Sequence, residues 1–508
     1  MRETRIARLI TDALGDAQAD VHRVHGREKL SHCFSFDIDV ELQQNAELDL
    51  DLALTSPAAL ALVDADRDVR IIYGAISEIR DIVHARSGRL LYRLTLVPRV
   101  QALSLNQRIE VFVDKSVPDI VAERLTRAGF VADEDFELRL DRDYPEREFV
   151  VQYRESDLTF ITRLTEHLGI TYWFEHDGGR DKMVFSDDAV GKELDRPLPF
   201  SPDGLQRAVR AIRGRRRKIA SGVLVADYDY MHPQLDLTGQ ASIAQQSGGI
   251  HYEYGDNFLS QDAAARMAQI RAEEIAVSHE TYTATSDDMS LSAGALWDLT
   301  GHRMGDKSFL AIEVEHTAEL PDFEADQDEE APALYRNLVH AIPASVPFRP
   351  ARVTPLPRVH GMHSGVIDAD ERSEYAAVDE HGRYKVKLLF DASGQKGEHA
   401  SLPIRMAQPH TGQGYGFHFP LRPDTEVLIA FLDGDPDRPV IASCVPNALT
   451  PSVVNKDNKA KNLIRTGGGN EIDFDDTTEG QRIKMTSPHE NTVFQIGSPN
   501  AAESGAIL

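Results

Sequence analysis

Residues 463–508 constrain the fold more than any other stretch of this chain. EIDFD at 471–475 and RIKMT at 482–486 alternate apolar and polar residues, DDTTEGQ turns between them, and TVFQIG at 492–497 continues the pattern. Alternation of period two is the signature of a strand whose two faces meet different surroundings. A hairpin by itself is marginally stable in water. Left alone, this one would expose Ile472, Phe474, Ile483, Met485, Val493, Phe494 and Ile496 together with open strand edges. Pairing with copies of the same segment removes both problems, and closure around a cyclic axis leaves no edge unsatisfied. The pattern therefore predicts an intertwined β-helix of three chains, its core formed by Ile472, Phe474, Ile483, Met485, Val493 and Phe494. The plainer alternative is an unstructured tail or an extra hairpin on the preceding barrel.

A chain of 508 residues exceeds what one hydrophobic core can serve, about 250–300 residues, so several domains are expected. The formal net charge of −27 repels polyanions and disfavours nucleic acid as a partner. The basic run Arg213, Arg215, Arg216, Arg217 and Lys218 reads as a solvated loop. Cys33 and Cys444 are the only cysteines and lie far apart, which fits neither a disulfide framework nor a zinc site. MRETRIARLI at the amino terminus lacks an apolar signal core, and no stretch is long enough to cross a bilayer. A route out of the cell would have to work without a signal peptide.

Between residues 30 and 110 the pattern is sheet, as in FSFDIDVEL at 34–42 and RLLYRLTLV at 89–97, and it reads as a barrel or sandwich. Gly74, between two apolar runs, suggests a bulge or a close backbone approach. Helices are predicted from Ser116 to Gly129, from Ser156 to Gly169 and over 260–279, each opened by a serine cap. ITYWFEH at 170–176, ALWDLTGH at 295–302 and SFLAIEVEHTAEL at 308–320 return to strand. PDFEADQDEE at 321–330 reads as an acidic surface loop, and the prolines of 343–357 mark the approach to a boundary. Short strands then follow at close spacing, RYKVKLLF at 383–390, SLPIRMAQ at 401–408, TEVLIAFLD at 425–433 and RPVIASCV at 438–445, which suits a small closed barrel of OB type. The fold class is thus mainly β with some α, in several domains, and LTPSVVNKDNKAKN at 449–462 reads as a polar linker.

Several chemistries are suggested and then lost on inspection. His22, His25, His32 and Cys33 are good zinc ligands by type, but His32 and Cys33 are neighbours on a predicted strand and point to opposite faces. TGQGYGF at 411–417 and TGGGN at 466–470 have the glycine content of a phosphate cradle without the Lys-Ser/Thr or helix that one needs, so tight turns are expected. Asp433, Asp435 and Asp437 lack the spacing of a calcium loop and read as a turn. There is no nucleophile elbow and no metalloprotease helix. No catalytic, metal-binding or cofactor-binding residue is assigned, and the expectation is a chain that is not an enzyme.

Three stretches resemble the VgrG family, the spike proteins that tip type VI secretion machines. They are RESDLTFITRLTEHLGITYWFEH at 154–176, QPHTGQGYGFHFPLRPDTEVLIAFLDGDPDRPVI at 408–441 and NLIRTGGGNEIDFDD at 462–476, in the family's order. The family is similar to the hub and cell-puncturing proteins of contractile phage tails. The resemblance implies a hub over 1–357, an OB domain over 358–448, a linker at 449–462 and the first part of a trimeric β-helix over 463–508. It also implies partners: a homotrimer, the Hcp tube hexamer, a PAAR-repeat tip, effectors with their adaptors, and baseplate components. Such a protein is made in the cytoplasm, assembled on the apparatus and exported with it. Where the phage counterpart carries a lysozyme domain, only the short linker stands here. Family needles usually continue further than Leu508, where this pattern breaks off. A contractile phage or phage-like tail spike is the near alternative. A needle-borne glycan hydrolase and an OB-fold nucleic-acid binder are the alternatives of other classes.

Overall fold

The computed structural model describes residues 6–14, 19–42, 48–64, 67–83, 90–188, 192–204, 207–243, 248–319, 334–369, 373–392, 401–497 and 506–507. The acidic stretch 321–330 and most of the terminal SPNAAESGAIL lie outside the described residues. The chain divides into two compact units. One comprises Met1–Gln107, Ser116–Pro145 and Ser156–Leu356, and the other Arg108–Lys115, Glu146–Glu155 and Pro357–Leu508.

The first unit is built on one large, mostly antiparallel sheet. Its main path runs from Ala7–Thr11 through Pro57–Asp64, Arg67–Val83, Leu90–Val97, Ser35–Leu42, Ala19–Lys29, Lys307–Glu319, Leu334–Pro343 and Glu280–Ser286 to Val209–Arg216. Alternation decides which side chains go inside: Phe36, Ile38, Leu94 and Leu96 share one buried cluster. Arg67–Val83 is a single long strand through Gly74. A Cβ built there would lie 2.2 Å from the Val97 carbonyl oxygen, so the close approach anticipated from sequence is real.

Four α-helices occur among the described residues of this unit. The short α1, Leu50–Thr55, was not foreseen; Asp49 caps it by accepting from the Leu52 N–H. α2, Val117–Arg127, is capped by Ser116, and α3, Asp157–Leu168, by Ser156 and by Gly169 in the left-handed conformation. α4, Gln261–Val277, is capped by Ser260. α4 lies on a small sheet, pressing its Ala264 carbonyl against Gly239 with no room for a side chain between them. No helix among the described residues is long and apolar enough to cross a membrane.

Two readings need correction here. Arg213, Arg215 and Arg216 are not on a loop: they belong to Val209–Arg216, the outermost strand of the large sheet, paired to Glu280–Ser286. Charge on an edge strand discourages stray pairing, which a reading by composition alone takes for a loop. His32 and Cys33 sit in the connection between Ala19–Lys29 and Ser35–Leu42, not within a strand.

The second unit contains a five-stranded antiparallel sheet in the order Ser401–Ile404, Tyr384–Leu388, His363–Ile367, Glu426–Phe431, Pro439–Cys444. The central strand, His363–Ile367, was missed because its HSGVI lacks a clear alternating pattern. A bridge between Met406 and Ile441 joins the two ends of the sheet and closes it into a barrel. Tyr384, Val386, Ile404, Val427, Ile429 and Ile441 fill it. Gln107–Lys115 and Arg147–Ser156 pair with each other, and their Val111, Phe149, Val151 and Tyr153 join the same core. The unit that holds the barrel therefore also includes these two strands from earlier in the chain.

Candidate assembly interface

Past the barrel, Lys461–Arg465, Glu471–Asp475, Arg482–Ser487, Thr492–Ile496 and Ala506–Ile507 form an antiparallel meander in chain order. The turns have the local chemistry their sequences promise. In 466–470 the Gly469 N–H donates to the Thr466 carbonyl at 3.0 Å with Gly469 at φ +85°, and in 477–480 the Gly480 N–H donates to the Thr477 carbonyl at 2.8 Å. The first strand was not anticipated; it begins inside the stretch read as a linker. Its Leu463 and Ile464 were the available signal, diluted by Lys461, Asn462 and Arg465.

Register sorts the side chains onto two faces. Ile464, Ile472, Met485 and Phe494 align across four strands, and Asn462, Phe474, Ile483 and Ile496 form the next row. This face carries no charged residue. Of the predicted core, Ile472, Phe474, Ile483, Met485 and Phe494 are brought together here. Val493 is not: it pairs with Thr486, on the face that also carries Glu471 and Arg465, because neighbours on a strand cannot share a face.

The opposite face is ionic. The Lys461 ammonium donates to Asp473 at 2.6 Å, and Arg482 lies 3.4 Å from Asp475. Asp473 and Asp475 are buried, at 2% and 8% exposure, whereas Phe474 between them is 40% exposed and Met485 44%. Hydrogen bonds from the Thr477 hydroxyl and N–H, aided by Lys461 and Arg482, hold the Asp475 carboxyl below its usual range. A single chain thus shelters its carboxylates and presents its apolar side chains to water. Completing the burial of each apolar side chain gains about 1 kcal/mol. Seven such residues on each of several copies give an attraction comparable with the roughly 4–15 kcal/mol that association costs.

The other candidate chemistries have structural explanations. His22 is paired with Glu41 at 2.6 Å. Burial pushes the Cys33 thiol up to about 12, so the protonated form is the one held there. Asp437 accepts the Val151 N–H at 2.7 Å and donates its own N–H to Asp435 at 3.0 Å, so the acidic turn at 433–437 anchors backbone. The glycines at 411–416 make a small hairpin, Thr411–Gly412 with Tyr415–Gly416. Among the described residues one acidic trio has metal-ligand proximity, Asp141, Asp187 and Asp188. Asp187 there receives the Asp141 and Arg142 N–H groups and the Tyr144 hydroxyl, as a loop anchor does. An open pocket of about 310 Å³ is lined by Glu134, Glu175, Asp177, Arg180 and Lys182. Arg180 pairs with Glu134, Lys182 with Glu137 and Glu175 with Arg139, while Asp177 accepts the Gly178 N–H.

A family model described as the phage tail baseplate hub matches residues 27–321, more than half of the chain. The chain belongs to the baseplate hub family. A second family model, the type VI secretion system and phage-baseplate injector OB domain, matches residues 375–445 of this hub protein. The type VI secretion system spike protein VgrG1b of Pseudomonas aeruginosa is 30% identical over 462 residues, 88% of this chain and 61% of that protein. The actin cross-linking toxin VgrG1 of Vibrio cholerae is 30% identical over 412 residues, 78% of this chain and 37% of that protein. The hub protein thus spans less than two thirds of the length of these curated relatives. Among solved structures, an E. coli component of the type VI secretion system, similar to the bacteriophage T4 tail proteins gp27 and gp5, superposes with a TM-score of 0.63 at 25% identity. That match covers 86% of this chain and 100% of that one. The resemblance to the VgrG family read from the sequence is borne out by these matches.

Proposed function

We propose that three copies of this chain form a VgrG-type spike and hub, driven through a target envelope by a contracting sheath. The observation that carries the reading is the charge-free apolar face of the C-terminal meander, uncovered in a single chain and placed after an injector OB barrel. In the trimer Ile472, Phe474, Ile483, Met485 and Phe494 face the copies of themselves, joined by Ile464 and Ile496, while the Lys461–Asp473 and Arg482–Asp475 pairs stay on the other side. We assign 1–357 to the hub apart from the two strands that join the barrel, 358–448 to the OB domain, 449–462 to a connection and 463–508 to the start of the β-helix.

The Hcp tube, a PAAR tip, baseplate components and effectors with adaptors are the partners this role requires, and export with the apparatus is its route. The work comes from the sheath, so the chain needs no catalytic group. The named toxin activity of one relative belongs to a protein of which this chain matches 37%. A phage-like particle is the second reading, favoured by the description of the family model that covers residues 27–321. The test is the mass of the purified chain in solution: three times the 56.5 kDa of one copy is expected. A monomer at micromolar concentration rejects the proposal.

A further inference from the structure

Val209–Arg216 ends the large sheet on one side, and its charge is at odds with the chain around it. Residues 213–218 read RGRRRK and all are exposed, in a chain whose net charge is −27. Two cations of the strand are neutralised locally: Arg210 pairs with Asp287 at 2.6 Å and Arg216 with Glu280 at 2.8 Å. Arg213, Arg215, Arg217 and Lys218 have no ion partner among the described residues. Alternation sets Arg213, Arg215 and Arg217 on one face, where the next strand offers Thr283 and Thr281 and no carboxylate. Like charges held in a row repel one another, and an anion laid beside them relieves this.

The edge next to this row is open. The Ser201 N–H donates to the Val209 carbonyl at 3.0 Å and covers only the start of the strand. At the far end the Arg217 N–H donates to the His279 carbonyl at 2.9 Å, which fixes the phase of the ladder. Residues of an antiparallel pair bond inward and outward by turns, so Arg215 and Arg213 bond to Thr281 and Thr283. The N–H and C=O groups of Ile212, Gly214 and Arg216 therefore turn to the open side. An occupant that suits the site must meet both the cations and this row of backbone groups. Phosphodiesters and lipid headgroups answer the charge but cannot continue a ladder. An extended polypeptide with a carboxylate at every second position answers both. The charge that turns ordinary strands away from an edge then selects one of opposite sign.

We infer that Ile212–Arg216 is a docking edge for an extended acidic segment of a partner protein, which adds a strand to the large sheet and lays its carboxylates against Arg213, Arg215 and Arg217. The site lies in the first unit and is independent of how copies of the chain assemble. The test is fluorescence anisotropy of labelled peptides with the full chain: an eight-residue peptide of alternating Glu and Val, its fully N-methylated form, which keeps the charge and loses the backbone donors, and its Lys-for-Glu counterpart. Binding of the first alone is expected. Arg213→Glu with Arg215→Glu should weaken it tenfold or more and, since both side chains are exposed, leave the melting temperature unchanged. Equal binding of the N-methylated peptide overturns the added strand whether or not the variant folds. Absence of binding at millimolar peptide overturns the site, and binding of a thymidine oligonucleotide or of phosphatidylglycerol vesicles in place of the peptide overturns the occupant.

Discussion

Glu28, Arg70 and His316 form a polar knot inside the large sheet. Arg70 donates to both oxygens of Glu28, at 2.6 and 2.8 Å, and His316 lies 3.7 Å from the same carboxylate with its Nδ1 2.7 Å from the Tyr335 hydroxyl. Burial would raise the Glu28 carboxyl, but Arg70 and His316 hold it below its usual range. Burial and the charge of Arg70 push His316 down to about 4 and His176 down to about 3. Native histidines of this kind stay neutral where the unfolded chain, near 6.5, takes up protons. Their contribution is complete above pH 6.5 and is lost as pH falls toward 4 and then 3. Urea unfolding should show stability falling as pH drops through that window, and His316→Gln should flatten the slope. Glu28→Gln, which leaves the Arg70 charge buried without its partner, should cost about 3–5 kcal/mol at neutral pH in the same measurement. A residue of another kind, Gly74, is fixed by the Val97 carbonyl 2.2 Å from where its side chain would start. Gly74→Val should cost at least about 2 kcal/mol, read as a lowered melting temperature.

Strands and helices were legible where local chemistry alone specifies them. Ser116, Ser156 and Ser260 each place a side-chain oxygen on an N–H in the helix that follows, and Gly169 ends α3 with a positive φ that other residues resist. The terminal strands were legible because alternation survives in EIDFD and RIKMT. It failed at TVFQI, where Val493 and Phe494 are both apolar but only one can face each way, and nothing short of the Met485–Phe494 pairing says which. Partner order is harder still. That Arg147–Ser156 joins a barrel whose other strands begin two hundred residues later depends on contacts with no local trace. For the meander the expected outcome is specific to its face: Phe474→Asp or Met485→Asp should yield monomers by light scattering. Val493→Asp, on the ionic face, should leave the mass unchanged.

Assembly of such a chain should respond to salt in an unusual direction. Contacts built from charged pairs weaken as ions screen them, whereas the meander face proposed to meet its copies carries no charge and the net charge of −27 sets each copy against its neighbours. Raising sodium chloride from about 10 mM, where screening reaches about 30 Å, to about 150 mM, where it reaches about 8 Å, should therefore lower the dissociation concentration of the proposed trimer. Sedimentation at the two ionic strengths reads this directly, and weakening with salt would contradict it.

A body that turns its own kind away over most of its skin, and welcomes it on a narrow strip, sorts encounters before they mature. Copies that collide askew drift apart, and only those that meet strip to strip remain long enough to wind together. The uncharged strip of the meander would in this way select in-register partners for the proposed needle while the later strands are still finding their places.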